Sequence, residues 1–403
     1  MQRKAERGGL SPHILTLGGL VLLLITSLSI LHPNEYEFVY VRFETITLFQ
    51  LSLFDTLLYA AYLIFGLLTG MLSDRLGKRR IFVILGSSSS VLFFLLMTQT
   101  SSFALLLLFR FLQGGCSVMG WQTLMTLALD RSDLRNRGVN MGVFGSFLAL
   151  AMGTGPVLGG VLASRNTFLP YYAAIALNLV VAGLAALLLQ EPSKLTPRRS
   201  LKESFVVLKQ KPVLSVPALF NFVDRLHVGF VLYLLPLFIE IRLGLGPSWR
   251  GMMLGIFALP YILLHYPVGR LSDRVGRLPL LVPGAVLFGV LFSVSGYIGT
   301  GFGITAAVFA TLGIFSGLTG PTNAALVGDL AETDENGMAM ALFNFAGNLG
   351  IICGPLVAGR IMDSWNMQGA FFSGGLIELS TLGIGMLLLK QFGFSTSWTR
   401  RRT

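Results

Sequence analysis

The sequence predicts an all-α membrane protein: 12 transmembrane helices in two parallel-repeat six-helix bundles. Three observations predict it. Charged side chains are too few to make a water-facing surface, uncharged runs of spanning length recur a dozen times, and one half repeats the other at a fixed offset.

Of 403 residues, 53% are hydrophobic and 12% are charged. A soluble domain carries about 25% charged residues. A chain of this length could bury a large core, but it lacks the polar shell that water would demand. Lipid in place of water removes that demand.

The apolar runs fall at 11–32, 48–71, 81–99, 103–128, 139–163, 168–189, 213–239, 249–270, 279–299, 302–328, 338–361 and 369–390. A bilayer core of about 30 Å needs roughly 20 helical residues at 1.5 Å each, and the runs fit. The polar–apolar alternation of a transmembrane barrel is missing. MQRKAERGG before the first run resembles the start of a signal sequence, but no A-x-A site follows. The run is long enough to span, so an uncleaved first helix is expected.

A net charge of +11 would suit a nucleic-acid partner, but the placement of the basic residues argues against one. With the N-terminus inside, 23 of 30 Lys and Arg lie in segments on one side. These are Arg3, Lys4, Arg7; Arg75, Lys78, Arg79, Arg80; Arg131, Arg135, Arg137; Lys194, Arg198, Arg199, Lys202, Lys209, Lys211; Arg270, Arg274, Arg277; and Lys390, Arg400, Arg401, Arg402. Outer segments hold Arg42, Arg165, Arg242, Arg250 and Arg360. This positive-inside asymmetry predicts a multi-pass inner-membrane protein with both termini cytoplasmic. Cys116 and Cys353 fall inside predicted helices and read as packing residues, suggesting neither a disulfide nor a metal site.

GMLSDRLGKRR (70–80) and GRLSDRVGRLP (269–279) are the clearest repeat. Gly70 aligns with Gly269, Asp74 with Asp273, Arg75 with Arg274 and Gly77 with Gly276, an offset of 199 residues. The same offset pairs Asp130 with Asp329, Gly155-Pro156 with Gly354-Pro355 and Gly160 with Gly359. The domains expected are an N-terminal six-helix bundle (1–190), a cytoplasmic linker (191–212) and a C-terminal bundle (213–403). The linker is the longest polar stretch, with a short amphipathic helix expected around 200–210. Parallel repeats of this kind occur in transporters.

Residues Gly70 to Arg79 resemble the loop signature of the major facilitator superfamily, G-x-L-[AS]-D-R-x-G-[KR]-[KR]. Arg110-Phe-Leu-Gln113-Gly114 is similar to that family's R-x-x-Q-G element. Gly155-Pro156-Val-Leu-Gly159-Gly160 resembles its G-P-x-x-G-G antiporter element, with Ala151 where a glycine is expected. The resemblance covers essentially the whole chain and is nearest to 12-helix drug/proton antiporters. It implies a charge network of Gly70, Asp74, Arg75, Lys78, Asp130, Gly269, Asp273 and Arg274 that latches the outward-open state. The two loop glycines would let neighbouring helices approach closely. It also implies a cavity bordered by helices one, four, seven and ten. The alternative for the charges is that they only end the helices at the membrane surface. Gly155-Pro156 and Gly354-Pro355 read as hinges or as static kinks, since proline removes a helical hydrogen bond.

Arg110 lies inside helix four, where a charge costs at least about 3 kcal/mol unless it faces water or a partner. With Gln113 it would look into the cavity that the resemblance implies; the alternative is a structural ion pair. NFVDRLHVGF (221–230) puts Asn221, Asp224, Arg225 and His227 on one face of helix seven, at 100° per residue. Such a face is tolerated toward a hydrated cavity, where a carboxylate could exchange a proton. The alternative is a salt bridge of Asp224 with Arg225 or Arg110. Asp55, His265 and Glu378 are expected to be paired or peripheral. Trp121, Phe220, Phe222, Phe230 and Tyr233 could line an apolar site or simply pack.

The function expected is proton-coupled export of a small amphiphilic molecule by alternating access. Proton-coupled symport or facilitated uptake of a polar metabolite is the second reading. Expected partners are the substrate, protons and the bilayer, with no nucleic acid and a monomeric state. The sequence shows no His-x-x-x-His, no paired cysteines, no G-x-S-x-G and no phosphate-binding glycine loop, so no enzyme, cofactor or metal is expected. A sensor would carry a soluble output domain, and none is evident.

Overall fold

The structure, a computed structural model, describes residues 12–132, 136–191, 201–298, 301–332 and 335–393. Among the basic residues above, Arg3, Lys4, Arg7, Arg135, Lys194, Arg198, Arg199 and Arg400 to Arg402 lie outside the described residues. The described chain is helical, with 12 helices long and apolar enough to cross a membrane.

The spans are α1 (Pro12–Ser29), α2 (Leu48–Leu76), α3 (Arg80–Gln99), α4 (Phe103–Asp130), α5 (Arg137–Arg165) and α6 (Leu169–Leu188) in the first half. After the linker helix α7 (Leu201–Gln210) come α8 (Ser215–Leu243), α9 (Pro247–Val275), α10 (Leu278–Ser295), α11 (Phe302–Leu330), α12 (Asn336–Ser364) and α13 (Met367–Gln391). Each coincides with a predicted run. Several have 29 residues, about 44 Å of helix at 1.5 Å per residue, so they tilt or project beyond the hydrocarbon.

The first span is longer than predicted. His32–Asn34 forms a 3-10 turn and Tyr36–Val41 a π-helical turn that carry α1 onward. Pro33 explains the change of winding, since its ring fills the place of an N–H donor. The stretch 32–49 is therefore mostly helix, and His32, Asn34 and Glu35 are buried.

Repetition is visible in the packing. In the first half α1 packs on α5 and α6, and α3 packs on α4 and α6. In the second half α8 packs on α12 and α13, and α10 on α11 and α13. The loops ending α2 and α9 repeat as well. Gly77 (φ 64°) and Gly276 (φ 99°) both take left-handed backbone, which explains a glycine at that step of both motifs.

Two compact units result: Met1–Phe38 with Ala60–Pro197, and Val39–Tyr59 with Arg198–Thr403. This modifies the expected domain limits, because the first turns of α2 belong to the second unit. The Asp363 carboxylate accepts from the backbone N–H groups of Leu48 and Phe49, both at 3.1 Å, and so caps α2. The Tyr233 hydroxyl donates to the Leu48 carbonyl.

The linker helix docks on the second unit. Val207 and Leu214 are buried against Val327, Ala339 and Phe343. Lys211 then bridges Glu335 at 2.7 Å and Glu332 at 2.5 Å.

Candidate functional site

In the second unit, α8 places its polar residues against four different neighbours. Asn221 donates to the Phe343 carbonyl of α12 at 2.7 Å. Asp224 accepts from the Thr319 hydroxyl of α11 at 3.3 Å and lies 3.9 Å from Arg225. Arg225 meets the Tyr261 hydroxyl of α9. His227 lies 3.2 Å from the Glu378 carboxylate of α13.

These side chains are drier than a hydrated polar face would be. Side-chain exposure is 4% for His227, 11% for Asp224 and 14% for Glu378, against 39% for Arg225. Of the predicted face, only Arg225 is substantially exposed. Each of the others found a partner helix inside its own bundle, which is why it can be buried. Asp224 and Glu378 line one small cleft with Thr319, Asn323 and Thr381. It has room for a water molecule or two.

Glu378, expected to be merely paired, is thus central to the arrangement. Its spacing from His227, on another helix, left no signal in the sequence. Phe220 also borders the cleft, while Phe230 packs on the Phe292 ring. His265 is not part of it: its ring meets the Tyr261 carbonyl at 2.7 Å.

The first unit holds a different polar chain. His32 Nδ1 lies 3.1 Å from Glu35 Oε1, and the same oxygen is 3.7 Å from the Arg110 guanidinium. Arg110 donates to Gln113 at 3.2 Å, Gln113 donates to Ser117 at 2.6 Å, and Ser117 meets Ser90 at 3.1 Å. Arg110 and Gln113 are fully buried, so they form an internal ion-pair network in place of the exposed wall expected of them. Glu35 gives little signal in the sequence, because it follows the end of the first apolar run and stands beside Pro33 and Asn34.

At the end of α2 the charges converge on Arg79. It reaches Asp74 at 2.6 Å, Asp130 at 3.1 Å and the Ser73 hydroxyl at 2.6 Å, with its own side chain fully buried. The second unit repeats this around Arg277, which reaches Asp273 at 2.6 Å, Asp329 at 2.7 Å and Ser272 at 2.7 Å. Arg75, Lys78 and Arg274 are not the cations at these hubs. The hub is the residue just before the next helix, and the first loop is one residue longer than the second. That insertion shifts the hub off the 199 register. Gly269 also departs from expectation, because a Cβ there would meet nothing within 4 Å.

The glycine–proline pairs do mark close approaches. A Cβ on Gly155 would lie 2.5 Å from that of Ser29 on α1. One on Gly354 would lie 2.5 Å from the Leu226 carbonyl oxygen and 2.8 Å from the Gly229 Cα on α8. Pro156 and Pro355 stand inside helices that continue past them.

The Major Facilitator Superfamily profile matches residues 14–249 and 217–391. The chain belongs to the major facilitator superfamily. Multidrug resistance protein 2 of Bacillus subtilis is 24% identical over 82% of this chain and 85% of the relative. An uncharacterized MFS-type transporter of Methanocaldococcus jannaschii is 28% identical, but the match spans 43% of this chain and 45% of that relative. Among solved structures, the nucleoside transporter NupG gives a TM-score of 0.78 at 12% identity, covering 94% of this chain and all of that one. A bacterial homolog of the human lysosomal transporter Spinster gives 0.73 at 15%, covering 96% and 97%. These likenesses show the superfamily fold. The chain is a multi-pass membrane transporter and not an enzyme. Within that superfamily, the loop motif of this chain organises itself around Arg79 and Arg277, and its glycine–proline motif packs α5 on α1 and α12 on α8.

Proposed function

We propose that this transporter couples proton movement to export of a small amphiphilic molecule by alternating access. In this reading it sits in the plasma membrane with both termini cytoplasmic. One observation carries the proposal: Asp224, Arg225, His227 and Glu378 form a largely buried ionic group inside the membrane-spanning part of one unit. Its net charge is −1 with the histidine neutral and zero with it protonated. In a low-dielectric site that difference is large, so a proton gradient can act on the protein there.

Asn221, Arg110 and Gln113 then serve to hold helices together through the bonds described. The Asp74–Arg79–Asp130 and Asp273–Arg277–Asp329 networks are the latches that rearrange as the transporter changes state. Gly155-Pro156 and Gly354-Pro355 are the tight crossings about which α5 and α12 move. Export is supported by the helix-five element and by the similarity to a multidrug resistance protein along 82% of the chain.

The test is flux in proteoliposomes with an imposed pH gradient, using ethidium as a lipophilic cation and uridine as a polar metabolite. Ethidium is expected to accumulate on the side from which protons leave. Ethidium flux that ignores the gradient would remove proton coupling. Uridine moving in the same direction as protons would replace export by symport.

A further inference from the structure

The His227 ring is bounded on both edges by oxygens. Nδ1 lies 2.8 Å from the Val223 carbonyl oxygen and 3.2 Å from Glu378 Oε2. Nε2 lies 2.8 Å from the Gly374 carbonyl oxygen. Two of these partners are peptide carbonyls and the third is a carboxylate, and none of them has a hydrogen to donate. A neutral imidazole carries one N–H and one lone pair. It could satisfy one edge and would set its lone pair against an oxygen on the other. Both edges are satisfied when both nitrogens carry hydrogen. If Glu378 carries the proton and donates it to Nδ1, the count is the same, one proton more than neutral histidine plus carboxylate.

We infer that the transported proton resides on the His227–Glu378 pair, and that this structure is its proton-loaded form. The inference rests on the proton-coupled reading above and names the atoms within it. Asp224 is the other carboxylate of the group, but Arg225, a permanent cation, stands 3.9 Å away, and the Thr319 hydroxyl donates to it. Asp224 therefore has a cation beside it in either form. Glu378 has only His227 as its ion-pair partner among the described residues.

The groups around the pair support one-proton chemistry. From α13 comes Glu378; from α8 itself, Asp224 and Arg225; from α9, Tyr261 on the far side of Arg225, with His265 stacked edge-on to it. From α10 come only the rings of Phe288 at 5.0 Å and Phe292 at 5.4 Å, which keep that side dry. From α11 comes the uncharged Thr319, and α12 meets α8 through Asn221 and Gly354 without a charge. With the proton present the group is neutral.

The proton also has an exit. Glu378 lines the small cleft with Asn323, a buried residue whose carbonyl oxygen has no hydrogen-bond partner. Water seated there can take the proton from the pair. Losing it from the Nδ1 edge sets a lone pair against the Val223 carbonyl, while an N–H from Nε2 to the Gly374 carbonyl ties α8 to α13.

Full-length protein labelled with 15N-histidine in lipid bilayers tests the assignment. The chain has four histidines, and His227→Gln identifies the signal of interest by subtraction. At pH 7.5 an ordinary histidine is about nine-tenths neutral, whereas His227 is expected to show both nitrogens protonated. In Glu378→Gln it is expected to become a single neutral tautomer. A neutral His227 in the wild type from pH 6 to 7.5, together with an ionised Glu378 carboxylate read from 13C-glutamate labelling with Glu378→Gln as the subtraction, would overturn the proposal. Transport supplies the second readout. In Glu378→Gln and in His227→Lys, which fixes the charge, gradient-driven ethidium accumulation relative to gradient-free exchange is expected to fall at least about 10-fold. If that ratio is unchanged in both while the wild type follows the gradient, the pair is not the proton site and the coupled reading survives. If the wild type itself ignores the gradient, the coupled reading fails, whatever the 15N spectra show.

Discussion

Both units bring together a histidine, a carboxylate and an arginine, but they assemble them differently. In the first, Arg110 and His32 both face the carboxylate of Glu35. In the second, His227 faces Glu378 while Arg225 faces Asp224. With histidine neutral the second group sums to −1, and a buried group short of a positive charge gains much from a proton. The comparison teaches that the same residue types share one carboxylate in the first unit and separate into two pairs in the second. The hubs that follow α2 and α9 contrast in burial: Arg79 and Asp130 are fully buried, while Asp329 and Asp273 are 45% and 65% exposed beside Arg277.

The hubs give the largest expected difference. Arg79→Met removes the buried cation that meets Asp130 at 3.1 Å and is expected to destabilise by about 3–5 kcal/mol. Arg277→Met breaks a pair that water can replace and should cost about 0–1 kcal/mol. Thermal unfolding of the purified protein in detergent, followed by intrinsic fluorescence, reads both. Equal shifts would mean that the burial contrast between the two hubs has no energetic consequence.

The glycine–proline crossings come next, and they too differ between halves. A Cβ on Gly354 meets backbone of α8, which cannot turn aside, so Gly354→Ala is expected to cost about 1–3 kcal/mol. At Gly155 the obstacle is the Ser29 side chain, so Gly155→Ala should sit at or below the low end of that range, about 1 kcal/mol. The same melting experiment orders them, and a more damaging Gly155→Ala would reverse the comparison.

How much of this was legible depends on what carries the signal. Span positions rest on hydrophobic runs, and all twelve could be read because a run is local. The repeat was legible because paired glycines and acids keep one register. Arg79 was not, since a single extra loop residue moves the hub out of that register; asking which cation stands just before the next helix would have found it. Glu35 was hidden by Pro33 and by neighbouring charges that resemble a loop, though the chain stays helical. Glu378 was visible as an acid within a span, but its partner lies 151 positions away, and only the packing of α13 on α8 brings them together. Sequence placed the polar residues in the membrane; it could not say that each of them would turn to a different neighbour.

Gly269→Ala sharpens the reading of the loop motifs from the opposite direction. Nothing stands within 4 Å of the added Cβ, and glycine within a helix is less stable than alanine by about 0.5–1 kcal/mol. The substitution should therefore raise the melting temperature. A fall would mean that Gly269 is crowded in the protein, as the motif first suggested. Substituting Gly276, at φ 99°, should do the reverse, because alanine is strained there.

The smallest effect belongs to the linker clamp, which only the second unit has. Lys211 holds the Glu335 carboxyl below its ordinary value of 4.5, helped by the backbone N–H of Glu332, and both glutamates hold the Lys211 ammonium above its ordinary 10.5. The sign follows from each direction. The carboxyl contributes above its unfolded value and loses that contribution as pH falls through its lower folded value. The ammonium contributes below its unfolded value and loses it as pH rises through its higher folded value. The clamp should hold α7 across neutral pH and release it in acid below the ordinary carboxylate range. Hydrogen exchange of 201–210, corrected for intrinsic rates, should then rise in acid by a few-fold at most, because Val207 and Leu214 keep the helix docked. Lys211→Ala should bring the same rise at neutral pH and remove the acid-dependent step. If that step persists in Lys211→Ala, a different group controls the docking of α7.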